Sequence, residues 1–323
     1  MDGMEARLGV GVDLGATRIR VCVGDSKGNV AWKASRIMPI PDRVEDYVEQ
    51  IIDAIRWAAR QVPETSILEG IGVASAGPLD MKKGGMAAPA NLPYKFVPLV
   101  GPLQESFRVD VALMNDCNSA ALGERRFGVG KEHENLVYVT LSTGIGGGAI
   151  VDGHLLIGKD GNAAEIGHLV VDPTGRLTCG CGRKGHWEAY CSGKNIPRLA
   201  MLIAREEQWT NDTERLEDLL NVAGPVDSSA ILRAATEGNG FGMRVAEEMG
   251  KLNALGFANA VNLFDPSLIT VGGGVALNNR ELVLRPIAEL VPLYSINRTP
   301  EIMITPLGDD AGLLGALSLA FSD

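Results

Sequence analysis

The sequence opens the same way twice. Leu8 to Val12 is a short apolar run that meets Asp13-Leu14-Gly15-Ala16-Thr17-Arg18 and resumes as Ile19 to Val23. Leu136 to Leu141 meets Ser142-Thr143-Gly144-Ile145-Gly146-Gly147-Gly148 and resumes as Ala149 to Val151. Short apolar runs bounded by turn-forming residues read as strands. Their recurrence after about 130 residues predicts duplicated α/β domains facing a cleft. At 323 residues the chain exceeds one comfortable core, which agrees with two domains. The boundary is placed near Cys117: residues 1–117 with a final helix returning at 310–323 form the smaller domain, and 118–309 the larger.

Between these landmarks the pattern alternates. Val30 to Ser35 completes a three-strand meander, and Val44, Tyr47, Val48, Ile51, Ile52 and Ile55 mark a helical face. Asp42 and Glu45 have capping-box spacing, and Pro63 closes the segment. Ile67 to Ala74 is a strand, and Ser75 to Pro98 is a long irregular stretch, of a kind more often functional than idle. Val109 to Met114 is a strand ending at Asn115-Asp116, with a helix from Asn118 to Phe127. Asp152-Gly153 is a hairpin turn. Residues from Lys194 to Phe264 are mostly helical, with a polar interruption from Trp209 to Arg215. Leu268 to Val271 feeds Gly272-Gly273-Gly274, then come a helix, a strand at Ile302 to Thr305 and the last helix from Asp310.

Thirty basic residues against 40 acids give a net charge of −10, with no basic block. That excludes nucleic acid as the main partner, since phosphate-backbone binding rests on clustered cations. No apolar stretch reaches the roughly 20 residues that span a bilayer, and the first residues do not resemble a signal peptide. Five cysteines, two of them one residue apart, read as reduced thiols of a cytoplasmic protein carrying a metal clip.

Three glycine turns invite a nucleotide. In Asp13-Leu14-Gly15-Ala16-Thr17 the glycine lets backbone close on an anion, Thr17 offers a hydroxyl and Asp13 could hold hydrated magnesium; the same residues also make an ordinary polar hairpin. Ser142 to Gly148 has four glycines in seven residues with two hydroxyls, so its N–H groups can line a phosphate. It has neither P-loop lysine nor Rossmann spacing. Gly272-Gly273-Gly274 lets a flat nucleoside approach the backbone. Asn115-Asp116 sits at a strand's carboxyl end, where open α/β sheets place their chemistry. A carboxylate there can take a proton from an attacking hydroxyl, and the pair could equally cap the next helix.

His168, Cys179, Cys181 and His186 fall within nineteen residues, flanked by Glu165 and Glu188. Imidazole and thiolate at this spacing suit a tetrahedral, all-protein and hence structural zinc.

Together these elements resemble the ROK family (repressors, open reading frames, kinases). The resemblance rests on Asp13-x-Gly15-x-Thr17, Asn115-Asp116, Ser142-Thr143-Gly144-Ile145-Gly146-Gly147 and Glu165-x-Gly167-His168. It continues through Cys179-x-Cys181-Gly182-x-x-Gly185-His186-x-Glu188, Gly272-Gly273-Gly274-Val275 and Gly308-Asp309-Asp310-Ala311-Gly312. It implies a two-domain actin-like ATPase (ribonuclease H-like) fold with an interdomain cleft, and phosphorylation of a hexose at its 6-hydroxyl by ATP with Mg²⁺. Carried over, Asp116 is the general base, and Asn115, Glu165, His168 and Glu188 bind sugar hydroxyls. Asn91 matches a further sugar contact in family glucokinases, where tryptophan often stands in place of Tyr94. Thr17, Thr143 and Gly144 face phosphates, and Gly273 and Gly274 the adenosine. Where this chain has His186 the family usually has a third cysteine; a His₂Cys₂ zinc site is expected, with Cys191 as the substitute. Glucose is the expected sugar, ahead of N-acetylmannosamine and other hexoses or amino sugars. A homo-oligomer (dimer or tetramer) in cytoplasmic carbohydrate metabolism is expected. A sugar-responsive regulator is disfavoured because only twelve residues precede Asp13.

Overall fold

The computed structural model describes residues 6–15, 17–89, 91–207, 209 and 227–321. The chain is α/β, with two five-stranded sheets and one three-stranded sheet. Most of the expected polar interruption after Trp209 lies outside the described residues.

The first sheet has the order β3-β2-β1-β4-β8, built from β1 (Arg7–Leu14), β2 (Arg18–Gly24), β3 (Val30–Ile37), β4 (Ile67–Ser75) and β8 (Asp110–Asn115). The meander β1-β2-β3 is antiparallel, and β1, β4 and β8 run parallel. Its two faces follow from a period-two pattern: Gly9-Val10-Gly11-Val12 in β1 and Gly70-Ile71-Gly72-Val73 in β4. The valines and isoleucine are fully buried in one core with Ile51 and Ile55 of helix α1 (Val44–Ala59). The glycine face receives the last helix, which is α10 (Ala311–Leu319). A Cβ at Gly11 would lie 2.7 Å from Leu317 N, and one at Gly72 only 1.9 Å from Ala316 O. No L side chain fits there, so the helix docks on bare backbone.

The expected capping box does not form. The N-cap of α1 is Arg43, without a side-chain cap bond, and Arg43 meets Glu45 as an ion pair at 3.4 Å. The stretch from Ser75 to Pro98 is more regular than its glycines suggest. It folds as the three-stranded sheet of β5 (Leu79–Asp80), β6 (Gly85–Ala87) and β7 (Phe96–Pro98). Helix α2 (Val100–Phe107) follows, too short for its sequence periodicity to stand out.

The second sheet has the order β11-β10-β9-β12-β13. Its strands are β9 (Leu136–Leu141), β10 (Ile145–Val151), β11 (His154–Leu155), β12 (Leu268–Gly272) and β13 (Glu301–Ile304). β12 lies parallel to both β9 and β13. Its helices are α4 (Glu188–Cys191), α5 (Ile196–Glu206), α6 (Ser228–Thr236), α7 (Gly240–Phe264), α8 (Gly274–Asn278) and α9 (Arg280–Tyr294).

The chain divides into two compact units: Met1–Glu134 with Gly148–Ala164 and Asp310–Asp323, and Asn135–Gly147 with Glu165–Asp309. The first unit therefore extends past Cys117, where the sequence pattern placed the boundary. Helix α3 (Asp116–Arg126) belongs to it because it packs closely on α10, a Cβ at Gly123 coming within 2.5 Å of Ala311 O. The end of β10 joins the same packing, with a Cβ at Gly148 falling 2.5 Å from Cys117 O. Among the described residues no helix is long and apolar enough to cross a membrane.

Candidate functional site

In the first unit, parallel pairing brings three strand ends into line: Leu14 pairs with Ser75, and Ser75 with Asn115. Asp13 and Asn115-Asp116 thus share the carboxyl edge of the sheet, where ligands bind in open α/β folds. Asn115 is the N-cap of α3, its Oδ1 accepting from Cys117 N at 2.9 Å and Asn118 N at 3.2 Å. The capping alternative is therefore realised for Asn115, and its Nδ2 donors are not consumed by the cap. Asp116 is half-buried at the first turn of the helix. Burial, then the charge of Asp13, push its carboxyl above the usual carboxylate range. A base with raised affinity for a proton is what hydroxyl activation requires.

Asp13 itself is buried, and Arg20 clamps its Oδ2 through Nε at 2.9 Å and through Nη2. A magnesium ion at Asp13 would thus share that carboxylate with a guanidinium. Gly15 N donates to Arg18 O at 2.9 Å, closing the turn, and Thr17 is exposed beside it. Asn91 is exposed on its loop. Nearby Tyr94 anchors that loop, tilting against Tyr47 at 5.7 Å and donating its hydroxyl to Pro41 O.

The second unit holds a cavity of about 680 Å³ lined by Ser142, Thr143, Lys194, Gly274 and Asn278, among others, within the range of small-molecule sites. The turn expected to line phosphate is shorter than its glycines suggest. It comprises Ser142-Thr143-Gly144, closed by Ser142 N donating to Gly144 O at 2.9 Å, and the next four residues belong to β10. Gly147 serves packing, because a Cβ there would lie 2.5 Å from Ile166 Cδ1. Of the later triplet, Gly274 lines the cavity. Gly273 is needed for its φ of +85° and its approach to Leu141 O, 2.5 Å from where a Cβ would be.

The same unit assembles the histidine–cysteine cluster. One ligand atom from each of His168, Cys179, Cys181 and His186 falls within 4.8 Å of all the others. Cys179 Sγ is 3.8 Å from His168 Nδ1, and Cys181 Sγ is 3.3 Å from His186 Nδ1. Tetrahedral zinc with bonds of about 2.3 Å to sulfur and 2.05 Å to nitrogen sets an S···N edge of roughly 3.6 Å, so the donor set is sized for one such ion. Cys191 lies outside the cluster, fully buried, with its thiol donating to Met249 O at 3.6 Å. Positive φ in the loop falls at Gly182 and Gly185, not at Gly180. Desolvation pushes the Cys179 thiol up to about 12. Desolvation, then the nearby His168, lower His186 and favour the neutral imidazole that a metal requires.

Two carboxylates border this cluster. His168 Nε2, on the ring edge away from the cysteine, lies 3.9 Å from Glu165 Oε2. Glu188 Oε1 accepts from Cys179 Sγ at 3.4 Å, and its Oε2 accepts from Ile145 N at 3.0 Å. Glu188 thereby links the cluster to the strand that leaves the Ser142-Thr143-Gly144 turn.

Three supporting features escaped the sequence reading. Asp172 accepts from Tyr190 Oη at 2.6 Å, Arg176 Nε at 3.0 Å and Thr174 N at 3.0 Å. Burial opposes its charge, but hydrogen bonds from the Thr174 hydroxyl, the Tyr190 hydroxyl and Arg176 hold it well below the usual carboxylate range. Trp187, between His186 and Glu188, is fully buried and donates to Asn253 Oδ1 at 2.8 Å. Lys194 lines the cavity beside Ser142 and Thr143. Local pattern signals none of the three, because their partners are tertiary or, for Asp172, sit in an irregular loop.

The chain matches the ROK family over residues 9–322. It is 35% identical over 316 residues to a glucokinase of Pyrobaculum calidifontis, covering 97% of this chain and 94% of that one. A ROK hexokinase structure from Thermus thermophilus superposes with a TM-score of 0.81 at 33% identity, covering 96% and 97% of the two chains. A ROK glucokinase from Streptomyces griseus, solved with glucose and AMPPNP, gives a TM-score of 0.76 at 34% identity over 97% and 98%. The fold is that of the actin-like ATPases.

Proposed function

The chain belongs to the ROK family, and from that premise we propose that it is an ATP-dependent hexose kinase transferring the γ-phosphoryl group to the 6-hydroxyl of glucose. The observation that carries the reading is Asp116, a carboxyl of raised proton affinity at the strand edge beside Asn115 and Asp13. The glucokinase relatives support glucose as the sugar.

Asp116 accepts the 6-hydroxyl proton as the oxygen attacks the γ-phosphorus, and ADP leaves. Asn115 presents its amide Nδ2 to the sugar, and Asn91, Glu165, His168 and Glu188 bind further hydroxyls. The bond from Ile145 N keeps Glu188 Oε2 in place. Thr17, Thr143 and Gly144 line phosphates, and Gly273 and Gly274 the adenosine. Asp13, with Gly15 giving the turn, would hold magnesium, which screens the phosphate charge when bound. His168, Cys179, Cys181 and His186 would hold zinc as structural support. Through Nδ1 His168 serves the metal side, leaving Nε2 for Glu165 and the sugar. A cytoplasmic homo-oligomer remains part of this reading.

The experiment is a coupled ADP-release assay with ATP over a panel of hexoses and amino sugars. Glucose should give the highest kcat/KM; absence of turnover with every sugar ends the kinase reading. Elemental analysis of Cys179→Ser/Cys181→Ser should find the zinc gone, and unchanged zinc would place the ion elsewhere.

A further inference from the structure

The cavity beside Ser142 and Thr143 has an unusual charge pattern for so acidic a protein. The chain carries 40 acidic residues, yet none of the described residues that line this cavity is a carboxylate. Its lining is serine, threonine, asparagine, glycine and two aliphatic residues, with Lys194 as the single charged side chain among the described residues. Lys194 is exposed and has no ion-pair partner among them. An ammonium without a carboxylate beside it among the described lining residues attracts anions.

The backbone that carries it is fixed. Gly193 N donates to Ser142 O at 2.7 Å and Lys194 N to Thr143 O at 3.3 Å, so the lysine is tied to the phosphate turn. On its other side Asn195 is buried and donates from Nδ2 to Glu188 O at 3.0 Å and Ser192 Oγ at 2.9 Å. Gly193 fills the narrow space between, where a Cβ would meet Ser142 O at 3.0 Å and Val275 Cγ2 at 3.3 Å. The stem of Lys194 is therefore held at the turn while its ammonium is free to reach a ligand. The sequence motifs include no phosphate-binding cation, because Lys194 lies fifty residues from the turn it joins.

We propose that Lys194 is the cation that binds the terminal phosphates of the nucleotide donor and so sets the affinity for ATP. The inference rests on the kinase reading only for the identity of the anion as a nucleotide polyphosphate. A charge-assisted bond from lysine to phosphate is strong enough to read directly in affinity.

The test compares wild type with Lys194→Met and Lys194→Arg, measuring steady-state kinetics against MgATP and glucose and calorimetric binding of ATP, ADP and AMP. Lys194→Met should raise KM for ATP about tenfold, or about 1.4 kcal/mol, with KM for glucose much less affected. Its KM for ATP should depend less steeply on salt than that of wild type, since a screened charge pair is gone. Lys194→Arg should recover most of the loss. By calorimetry the loss should appear with ATP and ADP and be absent with AMP. Unchanged ATP affinity in Lys194→Met, or an equal loss for AMP, would overturn the proposal. A protein that phosphorylates no sugar but loses ATP affinity on Lys194→Met would retain this inference and lose the kinase reading.

Discussion

Trp187 is the place where the stability of the second unit and the geometry of its candidate site meet. Its indole packs edge-on to Phe257 at 5.3 Å and its N–H is the partner of Asn253 Oδ1. Asn253 is fully buried, and its Nδ2 has no hydrogen-bond partner among the described residues. Trp187→Phe would leave the whole Asn253 amide unpaired, at about 1–3 kcal/mol. The smaller ring adds a cavity of roughly 40 Å³, about 1 kcal/mol at 24 cal/mol per Å³. The expected loss is thus about 2–4 kcal/mol. Asn253→Leu should cost about 1–3 kcal/mol by stranding the indole N–H. Removing both polar partners strands neither, so the double variant should be more stable than the summed losses by about 1–2 kcal/mol. Urea unfolding followed by far-UV circular dichroism measures all three. Additivity within about 0.5 kcal/mol would refute the claim that this hydrogen bond anchors the segment. Because His186 and Glu188 flank the indole, Trp187→Phe should also raise KM for glucose more than KM for ATP.

Two further expectations concern pH. As the proposed base Asp116 must be ionised to act, and its pKa is raised by burial and Asp13, so kcat/KM should fall on acidification at a pH above the usual carboxylate range; Asp116→Asn should lose about 10²–10⁴-fold in kcat, and retained turnover removes it as base. For stability the sign is the opposite: a raised carboxyl contributes below its unfolded pKa and loses that contribution as pH rises through the folded value. Asp116→Asn should therefore melt higher than wild type at neutral pH and gain nothing near pH 4, and an equal shift at both would contradict the burial effect. Asp172 is held low by its hydrogen bonds, so its contribution is present above the unfolded value and lost as pH falls through the depressed one. Asp172→Asn should cost about 3 kcal/mol at pH 7 and flatten the acid limb of the melting profile; an unchanged limb would show that the network carries no charge-dependent stability.

Much of this protein is local in origin, and the sequence alone determined that part. Strands β1, β2, β9 and β12 follow from short apolar runs, and the Asp152-Gly153 hairpin from two residues whose φ values are both positive. The cluster His168, Cys179, Cys181 and His186 is legible from residue type and close spacing, and the fold gathers one ligand atom from each within 4.8 Å of the others. The tertiary structure decided what distance in sequence hides. Glycines that suggest phosphate contact divide between Gly274, which lines the cavity, and Gly147, which serves packing alone. A missing Cβ looks the same in sequence whether it makes room for a ligand or for Ile166. The alternate glycines of β1 and β4 gain their meaning only from α10, some 240–310 residues later in the chain. Lys194, Trp187 and the Asp172–Arg176–Tyr190 network acquire their roles from partners that folding supplies. Periodicity and spacing report interactions between chain neighbours; the supports of a site are mostly pairings across the fold, and those exist only once the backbone has closed around them.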